Sequence, residues 1–325
     1  MSKLRILELF GGIGACSKAL ERIGIDYEIA DYVEIDKYAV KSFNAIHNTN
    51  FEPQDICKWD KNIEVDLIMH GSPCQDFSLA GKQAGGDIGS GTRSSLMYET
   101  IRIVGKLRPK YVIWENVKNL LSKKHRHNFE AYLKTMESLG YINYYQVLNA
   151  KDYGIPQNRE RVFTISIRND SADLRTLQEP DNYYIDWEAI SFEFPQKQEL
   201  KLKLKDMLED EVKIEIKSKC KRLKSLVEKT DFEEGKVLNM DLYNQTTNEN
   251  ISQCLTEPHH NTQRLFDGYR IRKLTPKECW RLMGFDDDDF EKAEKVNSNT
   301  QLYKQAGNSI VVNVLEAILN NLLGV

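Results

Sequence analysis

Along the first 170 positions, short apolar runs alternate with stretches in which apolar residues recur at helical spacing. The run Leu4 to Phe10 is followed by Gly11-Gly12-Ile13-Gly14. Ala15, Ala19, Leu20 and Ile23 then fall as on one face of a helix. Ile29 to Val33, Val65 to Met69 and Tyr111 to Trp114 are further short runs, of the kind that fills buried parallel strands. Helical spacing covers Ser95 to Leu107, stopped by Pro109, and again Asn128 to Leu139. Two β-rich runs follow, Ile142 to Leu148 and Arg161 to Ile167, and a short strand is expected before Asp55-Ile56. Strand alternating with helix predicts an α/β fold, a mostly parallel sheet with helices on both faces.

From about residue 170 the alternation stops. Residues 197–229 are rich in lysine and glutamate and read as a solvated face. Residues 239–263 are polar and turn-rich, fitting irregular loops with amide and hydroxyl groups suited to base edges. Order returns at Thr275, an N-cap followed by Pro276 and by Glu278 three residues on, with Gly284 ending the helix. Tyr303 to Ser309 open a last amphipathic helix running to Leu323. The chain divides at 1–169, 170–300 and 301–325, and no internal repeat is visible.

Composition narrows the class. The 325 residues are 41% hydrophobic and 29% charged, with a formal charge of −4, so nucleic acid would have to meet positive charge gathered on one face. No run of about eighteen apolar residues occurs, and MSKLRILELF lacks a signal-peptide layout. Cys16, Cys57, Cys74, Cys220, Cys254 and Cys279 are scattered without a C-x-x-C pair, which suits a reducing cytosol and predicts no metal site.

Three places carry candidate chemistry. A strand, a glycine turn and a helix N-terminus aim backbone N–H groups at an anionic or nucleotide-type ligand. Ser17 stands where a dinucleotide fingerprint has its third glycine, but Glu34 follows Gly14 by twenty residues, the distance at which a carboxylate meets ribose hydroxyls. Cys74 comes just beyond a buried strand, held by Gly71 and Pro73; it is either a core cysteine or a nucleophile placed where open α/β sheets do their chemistry. The segment Gly81 to Thr92, with five glycines, reads as a lid beside it. Glu115 ends another strand in the equivalent position, and alternation along Gln157-Asn-Arg-Glu-Arg161 puts Arg159 and Arg161 on one side.

Taken in order, Phe10 to Gly14, Glu34, Asp55-Ile56, Pro73 to Ser78, Glu115 to Val117, Gln157 to Arg161, Arg272 to Phe285 and Gln305 to Ser309 resemble the DNA (cytosine-5) methyltransferases of bacteria and phages. The resemblance implies a Rossmann-like S-adenosylmethionine-dependent fold: catalytic domain 1–169, target-recognition domain 170–300, and a helix at 301–325 returning to the first. It implies S-adenosylmethionine held by Phe10, Gly12, Ile13, Gly14, Glu34, Ile35, Asp55, Ile56, Pro73, Leu96, Asn308 and Ser309, and released as S-adenosylhomocysteine. It assigns catalysis to Cys74 as nucleophile, Glu115 at the ring nitrogen, and Arg159 and Arg161 around the base. Two positions depart from the family pattern: Gln54 stands where glycine is commoner, and serine replaces a frequent glycine before Leu96. The implied substrate is a short sequence in double-stranded DNA, methylated on a flipped-out cytosine by a cytoplasmic monomer with no membrane contact. A restriction endonuclease acting on the same site is the implied partner. A tRNA-methylating relative, a catalytically silent DNA-binding regulator and a nicotinamide dehydrogenase remain open as alternatives.

Overall fold

The structure, a computed structural model, describes residues 3–73, 96–170, 191–210, 236–242, 244–256, 263–266 and 271–325. The central sheet consists of β1 (Leu4–Leu9), β2 (Tyr27–Val33), β3 (Leu67–His70), β4 (Tyr111–Val117), β5 (Tyr141–Asn149) and β7 (Glu160–Arg168), in the order β2-β1-β3-β4-β7-β5. β2, β1, β3 and β4 are mutually parallel, whereas β7 runs antiparallel to both β4 and β5. A two-residue strand, β6 (Gln157–Asn158), precedes β7.

Alternation along each strand separates two cores. Ile6, Leu67, Met69, Ile113 and Ile165 face one side. Leu7, Leu9, Ile68, Val112 and Trp114 face the other. The first side is covered by α1 (Ala15–Arg22) and α8 (Val312–Leu323), which pack together, and the second by α3 (Met97–Leu107) and α4 (Arg126–Ser138). Flanking β2 is α2 (Lys37–His47), whose N-cap Asp36 accepts the Tyr38 N–H.

A second, smaller sheet has the order β12-β11-β8-β9, from β8 (Leu238–Asp241), β9 (Thr246–Glu249), β11 (Gln263–Phe266) and β12 (Ile271–Arg272), all antiparallel. β10 (Ser252–Gln253) pairs instead with β6. Residues 239–263 therefore contain strands where the polar composition predicts loops. The pairing is made by backbone groups, and the small core beneath is Leu238 and Met240 with Leu242, Phe266 and Ile271 packed against them.

The short helices α5 (Pro276–Arg281), α6 (Asp287–Glu294) and α7 (Asn299–Asn308) return the chain to the large sheet, with α6 packed on α2. Lys18 of α1, almost fully buried, binds Asp286 at 2.9 Å and Asp289 at 3.2 Å, tying the glycine-turn helix to α6. The expected single C-terminal helix is two, α7 and α8, broken at Ser309–Val311. The stretch Asn299–Leu323 is long and apolar enough to cross a membrane by composition, but Val312, Leu315, Ile318 and Leu319 are buried in the protein core. Nor does a strand precede Asp55-Ile56: Asp55 caps a 3-10 turn, Ile56–Lys58, accepting the Cys57 N–H at 3.0 Å.

The start of α5 combines the predicted capping box with a buried ion pair. Glu278 accepts the Thr275 N–H and binds Arg272 through both guanidinium nitrogens at 2.7 and 2.8 Å, with Glu278 fully buried. Glu278→Ala strands the Arg272 charge and opens the cap, so it is expected to cost about 3–5 kcal/mol. Urea unfolding of the variant checks this, and a midpoint equal to that of the wild type would refute the pair's structural role.

Candidate active site

Register decides where the strands deliver their residues. Leu9, His70 and Trp114 stand in one row across β1, β3 and β4, so Phe10, Gly71 and Glu115 come one residue further at the same level. The sheet order reverses around β1, making the crevice beyond the carboxyl ends of β1 and β3 the expected ligand position. A cavity occupies it, lined by Glu8, Phe10, Gly12, Ile13, Gly71, Glu115 and, from the α7–α8 break, Asn308 and Ser309.

The β1–α1 turn is built from left-handed backbone: Phe10 at φ 53°, Gly12 at 56° and Gly14 at 83°. Glycine adopts this region freely, whereas for Phe10 it stores strain of about 1–3 kcal/mol. At Gly14 any side chain would also collide with the His47 ring. The Gly12 N–H donates to Glu34 Oε2 at 3.2 Å, and the Tyr32 hydroxyl donates to the Gly12 carbonyl at 2.6 Å. The other Glu34 oxygen accepts the Asp36 N–H at 2.8 Å. Burial raises the Glu34 pKa above the ordinary carboxylate value, opposed chiefly by that Asp36 bond. Ile35, next to it, is exposed. Gln54, the departure from the family pattern, stitches its loop to β2: its side chain donates to Asp31 at 3.0 Å and to the Tyr32 carbonyl at 2.6 Å.

Glu115 and Arg161 meet by strand geometry. In the antiparallel β4–β7 pair Glu115 lies opposite Phe163 and Val117 opposite Arg161, making Glu115 and Arg161 diagonal neighbours on one face. Their ion pair, Arg161 Nε to Glu115 Oε1, spans 3.0 Å and is largely shielded from solvent. Burial raises the Glu115 pKa, while Arg161 and then Arg159 pull it back. The opposite face of β4 does different work. Trp114 Nε1 donates to Ser72 Oγ at 3.0 Å and Asn116 Nδ2 to the Ser72 carbonyl at 3.3 Å, fixing the Gly71-Ser72-Pro73 lead into Cys74. Cys74 itself, and the expected lid from Gly81 to Thr92, lie outside the described residues.

Arg159 and Arg161 hold different partners, although both reach Cys254. Arg159 is buried; its Nη1 donates to the Leu255 carbonyl at 2.9 Å and its Nη2 to the carbonyls of Gly307 (3.1 Å) and Ser309 (2.8 Å). It thereby clasps the α7–α8 break, and with it Asn308 and Ser309, to the segment after β10. Of the other expected cofactor residues, Gly14, Glu34, Ile35, Asp55, Ile56, Pro73 and Leu96 do not line the cavity; Glu34 reaches it through Gly12, and Leu96 packs on the α3–α4 side as the cap of α3. Sequence reasoning passed over Glu8 and Ser72, and gave Asn116, Gln157 and Cys254 no role of their own. Asn116 and Gln157 lie within quoted motifs and Ser72 adjoins one, whereas Cys254 carries no local pattern that marks it.

A mostly parallel sheet with a glycine turn at β1, an acidic residue after β2 and one antiparallel strand beside β4 is the S-adenosylmethionine-dependent methyltransferase fold. Within that class the chain belongs to the C-5 cytosine-specific DNA methylases, whose sequence pattern matches residues 4–324. It is thus a DNA (cytosine-5) methyltransferase that uses S-adenosylmethionine, which sets aside the dehydrogenase alternative. Type II methyltransferase M2.ScrFI of Lactococcus lactis subsp. cremoris is 34% identical over 98% of this chain and 99% of that protein. Orphan methyltransferase M.SPBetaI of Bacillus phage SPbeta is 33% identical (99% and 98%), and type II methyltransferase M.HhaI of Haemophilus parahaemolyticus 32% (99% and 95%). In fold, the S. pombe Dnmt2 methyltransferase superposes with a TM-score of 0.68 at 20% identity over 99% of both chains. The Entamoeba histolytica methyltransferase EhMeth gives 0.71 at 18% over 100% and 99%.

Glu8 yields a pH test. Its buried carboxyl accepts the Ser17 N–H at 3.1 Å and the Ser17 hydroxyl. Burial nevertheless pushes its pKa up to about 7, with the Ser17 bonds opposing. A carboxyl whose folded value lies above its unfolded one adds stability that is complete below the unfolded value and lost as pH rises through the folded one. Between about pH 5 and about pH 8 the Tm of the wild type is therefore expected to fall relative to that of Glu8→Gln, which keeps an acceptor for Ser17. A difference in Tm that stays constant with pH would refute the assignment.

Proposed function

We propose that the chain methylates carbon 5 of a flipped-out cytosine within a specific short sequence of double-stranded DNA, with Cys74 as nucleophile and Glu115 and Arg161 as its partners. The observation that supports this most directly is the shielded Glu115–Arg161 pair, set at the same level as the Gly71–Pro73 segment that leads into Cys74. Carbon 5 of cytosine is a weak nucleophile. A Cys74 thiolate adding to carbon 6 shifts electron density onto carbon 5 and nitrogen 3. Glu115, whose pKa burial raises above the ordinary carboxylate value, is suited to share a proton with nitrogen 3 as the sulfur adds. Arg161 keeps Glu115 oriented and offers donors to the carbonyl oxygen of the base. Arg159 is assigned a positioning role, holding the α7–α8 break.

The cavity beyond β1 suits S-adenosylmethionine: the open space at Gly12 leaves its backbone approachable, and Glu115 lies at the wall shared with the catalytic groups. Phe10, Gly12, Ile13, Asn308 and Ser309 would hold it there, with Glu34 and Ile35 beside the turn and Gly14, Asp55, Ile56, Pro73 and Leu96 outside the cavity. When bound, it supplies an electrophilic methyl group. Loss of the carbon 5 proton and of the thiolate then leaves 5-methylcytosine.

The target cannot react while stacked, and flipping it out costs a few kcal/mol. We assign target recognition to residues 170–300, around the small antiparallel sheet, and expect the enzyme to act as a cytoplasmic monomer. A restriction endonuclease cutting the same sequence is expected if the chain follows its type II relatives, and none if it follows the orphan phage enzymes.

Bisulfite sequencing of DNA from a host without cytosine methylation, expressing the protein, is expected to reveal protected cytosines in one short motif. Cys74→Ser should abolish that protection while retaining DNA and S-adenosylmethionine binding. Protection at the wild-type level in this variant would overturn the covalent route. Methylated tRNA with unmodified DNA would move the substrate to RNA. Glu115→Gln should keep DNA affinity and lower turnover by about 10²–10⁴-fold, as removal of a general acid does.

A further inference from the structure

Four free cysteines lie among the described residues, and their surroundings differ sharply. Cys16 and Cys279 are buried in the core, and Cys57 is exposed next to Asp55. Cys254 is half-buried and sits against the proposed catalytic groups. The pairing of β6 with β10 places it there: Ser252 stands beside Gln157 and Gln253 beside Asn158, so Cys254 and Arg159 leave the pair together. Arg159 Nη1 lies 3.5 Å from Cys254 Sγ and Arg161 Nη2 lies 3.6 Å from it. The residue after the thiol is anchored through both of its backbone groups. The Leu255 N–H donates to Gln157 Oε1 at 3.0 Å, and the Leu255 carbonyl accepts from Arg159. Two guanidinium groups thus converge on one sulfur, and Glu115 is engaged on the Nε of Arg161.

We propose that Cys254 is a second reactive thiol of this enzyme, a site of oxidation by hydrogen peroxide, and that the oxygen added to its sulfur stops methylation by crowding Arg161 away from Glu115. Two cations in contact with a sulfur favour the thiolate, the form that attacks electrophiles. In the oxidation step the thiolate sulfur attacks one peroxide oxygen; an S–O bond forms as the O–O bond breaks. The sulfur loses two electrons to the peroxide, and the departing hydroxide takes up a proton to become water, leaving a sulfenic acid. The other three cysteines among the described residues are set against this chemistry. Burial raises Cys16 and Cys279 far above an ordinary thiol, and burial with Asp55 and Glu99 raises Cys57. At Cys254 burial also pushes upward, but Arg161 and Arg159 outweigh it and bring the thiol below its ordinary value.

The first test needs no methylation. In the Cys74→Ser protein, where the proposed nucleophile cannot react, iodoacetamide labelling across pH is followed by peptide mass spectrometry at Cys254 and Cys57. The Cys254 profile is expected to inflect at lower pH than that of Cys57, and Arg161→Met in the same background should move it upward. An inflection at or above that of Cys57, or one that Arg161→Met leaves in place, overturns the proposal.

The second test rests on the proposed function. Wild-type and Cys254→Ala proteins are treated briefly with hydrogen peroxide, and each is scored against its own untreated methylation. Cys254→Ala is expected to retain severalfold more of its activity, with dimedone trapping a sulfenic acid at Cys254 in the Cys74→Ser protein. Equal fractional losses overturn the oxidation role. Absence of any methylation before treatment instead counts against the proposed function, and the labelling profile still decides the state of the thiol.

Discussion

Glu115 sits where burial alone would strip its charge, and Arg161 holds it against that pressure. A shielded ion pair is a poor source of net stability, because desolvation of both partners offsets most of their attraction. Its value here is geometric. The pair forms because β7 runs antiparallel to β4, which brings an arginine from the far end of the domain to the diagonal position beside Glu115. Were β7 shifted by one residue, Arg161 would face the other side of the sheet. The same alternation sends Trp114 and Asn116 to the opposite face, where they fix Ser72 and hence the entry to Cys74. One strand therefore orients the carboxylate with one set of side chains and the approach to the nucleophile with the other.

A second consequence follows from Arg159 and Gln157. Gln157, fully buried, donates to the Leu282 carbonyl at 2.7 Å and accepts the Leu255 N–H, while Arg159 reaches Leu255, Gly307 and Ser309. Three segments far apart in the chain meet on these two side chains: the loop after β10, the end of α5 and the α7–α8 break. The β6–β10 pair thus holds the segment after β10 beside the place where Asn308 and Ser309 face the cavity. Movement of β10 would be felt at the cavity wall through the carbonyls that Arg159 holds. Cys254 lies on this path, in contact with both arginines.

Much of this was legible from residue order. The apolar runs marked the six strands of the large sheet, and the glycine turn, Thr275 and Pro276 marked two helix starts. The family pattern identified the enzyme class. Less legible were features set by pairing rather than by local pattern. The strands between Leu238 and Phe266 are polar and short, and backbone hydrogen bonds sustain them. Asp55 reads as a residue after a strand but caps a 3-10 turn, because its carboxylate finds the Cys57 N–H two residues on. The break at Ser309–Val311 is hidden in an apolar stretch that sequence periodicity runs together.

Arg159 and Arg161 illustrate the division most clearly. Alternation along an extended chain places them on one side, and that much needs only the sequence. Nothing in the spacing tells which arginine meets Glu115 and which is enclosed among carbonyls. That choice depends on strand partners: Arg161 lies within the β4–β7 ladder, while Arg159 falls in the step between β6 and β7, beside β10. The sequence by itself determined strand and helix periodicity, the glycine turn and the types of reactive side chain, because these depend on neighbours within a few residues. The tertiary structure decided the ion pair, the clasp and the setting of Cys254, because each requires segments that meet only after the sheet has closed.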